Sequence, residues 1–206
     1  MTRLTTPLMI RSLSNRRGFL AGLGALAFVP GAVFALTTAQ ASTLVNQVVT
    51  DINRAIASGK TGSALYRDFE AIFMRYADND WLAASVLGAS RRGLSNEKLR
   101  EFSVAFRGYI ARKYGRQFRE FEGSTIDVTN ASVVNRYVEV AAVARRSGRS
   151  PINLTFLISD REGKRRFFDV RIEGVSLRLT ERDEIGALLD QRGGNIDQLI
   201  AHLQSL

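Results

Sequence analysis

Apolar positions change their period once along the chain, and that change divides it into regions. Leu44, Val45, Val48, Val49, Ile52, Ala55 and Ile56 recur at the three-to-four spacing of one helical face, and Ser58-Gly59 supplies a stop. Leu65, Phe69, Ile72, Phe73 and Tyr76 predict a second helix, and Trp81 to Leu87 a short third one started by Asp80 and ended by Gly88. The longest helix begins with Ser95 as N-cap and runs to about Phe121, with Leu99, Phe102, Phe106, Tyr109 and Ile110 on its apolar face.

After Gly123 the period becomes two. Ile126 and Val128 alternate with polar residues; Val138, Val140, Ala142 and Ala144 form one face of the next run, and Ile152, Leu154, Phe156 and Ile158 one face of a third. In the fourth run, strict alternation puts Phe168, Val170 and Ile172 on one side and Phe167, Asp169 and Arg171 on the other. Short links, Arg146-Ser147-Gly148-Arg149 and Asp160-Arg161-Glu162-Gly163, suit hairpins. Two helices follow, about Glu181 to Gln191 and Ile196 to Leu206. Helices, then strands, then helices predict an α+β fold: an antiparallel four-stranded meander with one face covered.

The first 41 residues carry Arg3, Arg11, Arg16 and Arg17, no acid, and an apolar run from Phe19 to Leu36. That is the outline of a cleaved signal peptide, residues 1–41, with Ala39-Gln40-Ala41 as the small-x-small site and a cut expected after Ala41. Ser14-Asn15-Arg16-Arg17-Gly18-Phe19-Leu20 resembles the twin-arginine export motif. A membrane anchor is the alternative, but Gly22, Gly24, Pro30 and Gly31 interrupt the run. Residues 42–206 then form a single domain in the periplasm.

Composition narrows the chemistry. The chain has no Cys and one His, His202, which removes disulfides, thiolate nucleophiles and multi-histidine zinc sites. The formal charge of +9 suggests an anionic partner, yet beyond residue 41 only 25 basic residues stand against 20 acidic ones. The densest basic clusters, Arg145 to Arg149 and Arg161 to Arg166, lie on consecutive hairpins at opposite ends of the sheet. They build no continuous stripe for nucleic acid and read as solvated tips. Ser95-Asn96-Glu97-Lys98 and Lys60-Thr61-Gly62 imitate motifs of penicillin-recognising enzymes in the wrong order, and Ser95 has a simpler task as a cap. Asp78-Asn79-Asp80 lacks the Gly and Glu of a calcium loop and reads as a helix cap. No catalytic set, cofactor site or metal site emerges. Nine Phe, all five Tyr and the single Trp lie beyond residue 41, enough for a filled core or for an apolar pocket.

The C-terminal third is more specific: Asp169-x-x-x-Glu173-Gly174-Val175-Ser176, Arg182, and Gly193 to Leu203. With Tyr76-Ala77-Asp78, Ala83 to Gly88 and Leu99-Arg100-Glu101-Phe102, this resembles the MlaC family of periplasmic phospholipid-binding proteins, components of the maintenance-of-lipid-asymmetry pathway. Phe167-Phe168 departs from the Trp common there. The resemblance implies a non-enzymatic carrier that takes phospholipid acyl chains into an apolar pocket. It also implies as partners an inner-membrane ABC transporter complex and an outer-membrane lipoprotein complex. Asp169, Glu173 and Gly174 read as structural groups of strand end and turn. The pocket is expected between the sheet and the long helices, lined by Phe73, Tyr76, Phe106, Tyr109, Val140, Leu154, Phe156 and Val170. A binding protein for another hydrophobic ligand, or an enzyme with an apolar substrate, are the alternatives.

Overall fold

The computed structural model describes residues 36–118, 124–146 and 148–206. The twin-arginine segment, nearly all of the apolar run, and the expected end of the long helix at Phe121 lie outside the described residues. Helix α1 (Thr38–Ala57) starts at a capping box in which the Thr37 hydroxyl accepts from the Gln40 N–H and the Gln40 side chain returns the bond. It buries Val45, Val48, Val49, Ile52 and Ala55. The cut expected after Ala41 therefore falls within the first turns of a helix, beside a residue with 0% exposure.

Helix α2 (Gly62–Tyr76) ends against the buried Asn79, whose amide donates to the carbonyls of Phe73, Met74 and Ala77. The Phe73 carbonyl also accepts the Ala77 backbone N–H at 2.9 Å, and the Asn79 amide completes the closure of the helix end. Helix α3 (Asn79–Leu87) begins at Asn79 rather than Trp81, and its N-cap, Asp78, makes no side-chain capping bond. Asp78 instead holds Arg161 at 2.8 Å, which corrects the capping role expected of this acidic cluster. Helix α4 (Asn96–Phe118) is capped as expected, the Lys98 N–H donating to the Ser95 hydroxyl at 3.1 Å.

Five strands follow, β1 (Thr125–Val134), β2 (Tyr137–Arg145), β3 (Ile152–Arg161), β4 (Lys164–Ile172) and β5 (Val175–Ser176), antiparallel and in chain order across the sheet. The fifth, two residues long, extends the expected four-stranded meander. Two of the hairpins close through Glu162-Gly163 and Glu173-Gly174, whose φ values of 53°, 72°, 49° and 81° are left-handed at both turn positions. This is the geometry that a two-residue hairpin turn requires, and it is why each turn ends in Gly.

A bulge between Leu157 and Ile158 alters β4. Ile158 pairs with Phe167 and Leu157 with Asp169, so Phe168 is skipped in the register. Strict alternation fails there, because an unpaired residue shifts the faces on either side of it. Phe167 joins the core at 8% exposure, while Phe168 packs edge-on against Trp81 and Tyr137.

Ser176 is the N-cap of helix α5 (Leu177–Asp190), its hydroxyl accepting from the Leu179 N–H at 3.1 Å. That cap starts the helix four residues before the expected Glu181. Helix α6 (Ile196–Ser205), capped by Asn195, packs on α4. The core lies between the helices and the inner sheet face, where Val138, Val140, Ala142 and Ala144 are at most 1% exposed. No helix among the described residues is long and apolar enough to cross a membrane.

Candidate functional site: an apolar cavity with a polar corner

Between the sheet and helices α1 to α5 lies a cavity of about 340 Å³. Its walls are overwhelmingly apolar: Val48 and Ile52 from α1, Phe69, Ile72 and Phe73 from α2, Leu82 and Val86 from α3, and Phe106 and Ile110 from α4. The sheet contributes Ile126, Ala144, Leu154, Phe156, Phe167, Val170 and Ile172. Burial varies around it. Leu82, Val86, Phe106 and Phe167 are buried, whereas Gln117 is exposed and Ile126, Ile172 and Leu177 are half-buried, so the cavity is open to solvent on that part of its wall.

Five of the eight expected lining residues meet at this cavity: Phe73, Phe106, Leu154, Phe156 and Val170. The other three stand away from it. Tyr76 turns its hydroxyl to Asp51 at 2.7 Å, at an outer groove shared with Arg54 and Arg75. Tyr109 donates to Glu184 at 2.5 Å. Val140, at 0% exposure, belongs to the filled part of the core. Helical period placed both tyrosines inward, but their hydroxyls demanded acceptors, Asp51 in the outer groove for Tyr76 and Glu184 in a polar corner beside the cavity for Tyr109.

The sequence reading gave no role to the cavity's polar corner. Lys113 from α4 inserts between two carboxylates of α5, 2.7 Å from Glu181 Oε1 and 2.5 Å from Glu184 Oε2. The Tyr114 hydroxyl donates to Glu181 Oε1 at 2.5 Å, and Lys113 also reaches the Tyr109 hydroxyl at 3.0 Å. These bonds span from α4 to α5. Burial pushes both tyrosine pKa values up, reinforced for Tyr109 by its bond to Glu184 and for Tyr114 by its bond to Glu181. Burial opposes the charge on Glu184 too, but hydrogen bonds from Lys113 and Tyr109 outweigh it and hold the carboxyl below its ordinary value. Lys113 likewise loses solvation, yet its two carboxylate partners raise its pKa.

The D-x-x-x-E-G-V-S segment positions α5 for this. Asp169, 4% exposed, accepts from the Ser176 hydroxyl at 2.6 Å and from the Arg178 N–H at 3.1 Å. Glu173 accepts from the Asn153 backbone N–H, tying the turn to β3. Strand end, turn and helix start are thereby one hydrogen-bonded unit, and Arg178 and Glu181 follow from it into the cavity wall. Among the described residues no group of three or more His, Asp or Glu could hold a metal ion.

In the basic hairpins Arg145, Arg149, Lys164 and Arg165 are exposed, as solvated tips would be, while Arg161 and Arg166 reach the start of α3. Arg161 binds Asp78, Arg166 donates to the Ala77 carbonyl at 3.1 Å, and Arg145 pairs with Asp127 at 2.8 Å.

A helix-covered antiparallel sheet enclosing an apolar cavity defines an α+β cavity protein. The chain belongs to the MlaC protein family, which matches residues 42–205. Its fold is similar to that of a phospholipid-binding protein from Ralstonia solanacearum, solved in complex with a phospholipid. That similarity has a TM-score of 0.66 at 16% identity, covering 80% of this chain and 95% of the other.

Proposed function

We propose that this protein is a phospholipid carrier of the periplasm, exported through a twin-arginine signal with loss of residues 1–41. It would move lipid between an inner-membrane ABC transporter complex and an outer-membrane lipoprotein complex, and catalyse nothing. The observation that carries the reading is the enclosed apolar cavity, with family membership and the lipid-bound structural relative in support.

The energetics suit a shuttle. Each methylene exposed to water costs about 0.8 kcal/mol, so a free acyl chain is strongly unfavourable in the aqueous space. A bilayer already shelters that chain. A carrier needs only a comparable apolar environment, and near-parity lets lipid leave as well as enter. If a methylene takes about the ~30 Å³ of a water molecule in the liquid, the cavity suits roughly eleven of them. That is most of one chain.

The test is native mass spectrometry of mature protein purified from the cell envelope without delipidation. Phospholipid adducts are expected; lipid-free protein would refute the reading. Turnover of a bound lipid would favour an enzyme instead.

A further inference from the structure

Glu181 is 2% exposed, and only one of its two carboxylate oxygens is satisfied. Oε1 accepts from Lys113 and Tyr114, whereas Oε2 is buried without a hydrogen-bond partner. A buried carboxylate oxygen without a donor is costly, so its persistence in a cavity wall points to a donor brought by a ligand. Position agrees. Glu181 lines the cavity, and Glu184, three residues on along α5 and sharing Lys113 with it, has a side chain 41% exposed, so the carboxylate pair links the cavity wall to solvent.

Charge narrows the donor. Asp169, Glu181 and Glu184 stand against Lys113 and Arg178, with Arg178 3.8 Å from Asp169 and Lys113 shared by the two glutamates. One carboxylate is in excess, so a cationic donor is preferred to a neutral one. We infer that Glu181 Oε2 receives the primary ammonium of an aminophospholipid head group while the acyl chains occupy the cavity. This rests on the phospholipid-carrier reading and adds selectivity to it. A trimethylated choline head carries the charge but no N–H donor. A glycerol head carries hydroxyl donors without the cation.

The experiment offers the mature full-length chain an equimolar mixture of ethanolamine, choline and glycerol phospholipids with identical acyl chains, read by native mass spectrometry. The ethanolamine lipid is expected to exceed each of the others about tenfold, as a charge-assisted hydrogen bond would give. In Glu181→Gln the ratio of ethanolamine lipid to the other two should fall toward even loading. Equal occupancy by ethanolamine and choline lipids, or by ethanolamine and glycerol lipids, in the wild type would overturn the assignment. That comparison needs no variant, so it decides the question even if Glu181→Gln fails to fold. Failure to take up any of the three would instead overturn the carrier reading.

Discussion

The Arg161 guanidinium lies over the ring of Trp81, 4.2 Å from its centroid, while the same group holds Asp78 at 2.8 Å. One side chain thus pins the β3–β4 hairpin to the start of α3. With Arg161 40% exposed, the ion pair contributes little, and most of the effect is the stacking. Arg161→Ala should lose about 1 kcal/mol in urea unfolding. Arg161→Lys, which keeps the charge without the planar stack, should recover less than half of it. Full recovery would assign the effect to the ion pair alone.

Phe102 and Phe106 lie one turn apart on α4, stacked with centroids 5.8 Å apart, but only Phe106 lines the cavity. Phe102→Ala should cost about 3–5 kcal/mol by opening a new void in filled core. Phe106→Ala merely enlarges an existing space, so its cost should be smaller while lipid retention falls. Equal destabilisation of the two, with retention unchanged, would place Phe106 in the filled core.

The α4–α5 bonds give stability a pH profile. Glu184 has its pKa lowered in the folded protein, so its contribution is full above its ordinary value of 4.5 and disappears as pH drops through the folded value. Lys113, Tyr109 and Tyr114 are raised, so theirs is full below the ordinary values of 10.5, 10.0 and 10.0 and is lost as pH climbs above them. Urea midpoints should be flat between roughly pH 5 and 9 and fall on both sides. Lys113→Met should shrink the acid-side fall. An unchanged acid limb in that variant would remove Lys113 from its cause.

Two positions in the Asp169–Ser176 unit fail for different reasons. Asp169→Ala strands the Ser176 hydroxyl and the Arg178 N–H, which should cost about 2–3 kcal/mol. Gly174, at φ 81°, has open space where a Cβ would stand, so Gly174→Ala should cost only backbone strain of about 1 kcal/mol. Thermal unfolding of both variants separates them, and a Gly174→Ala loss as large as that of Asp169→Ala would contradict the strain account.

Periplasmic material is expected to begin at Ser42. Such a cut removes the Thr37 cap, so a chain engineered to start at Thr37 should be about 1 kcal/mol more stable than one starting at Ser42. N-terminal sequencing checks the first statement and paired urea curves the second. A mature terminus upstream of Thr37 would show that the cap is kept.

Element types and order were legible because apolar period is set by burial, and burial here is one-sided along most helices and strands. The failures were local. Nothing in Phe167-Phe168 announces the bulge, since either ring could face inward until the pairing with β3 is known. Tyr76 and Tyr109 were misplaced because periodicity sees a ring and not a hydroxyl. The pairing of Lys113 with Glu181 and Glu184 escaped notice because α4 and α5 lie far apart in sequence. The signal available was chemical: acids at i and i+3 on α5 and a lysine between two tyrosine turns of α4.

The strand order has a kinetic consequence. Within the sheet, each strand pairs with its neighbours in sequence, so each of these pairing steps closes a short loop at small entropic cost. The meander can assemble as a unit, giving α1 to α4, already synthesised, a surface on which to settle. Helix α5 lies beyond the last strand and reaches α4 mainly through side-chain bonds around Lys113. Closure of the cavity therefore waits for the C-terminal 30 residues or so, and a chain released before them would carry an open apolar trough.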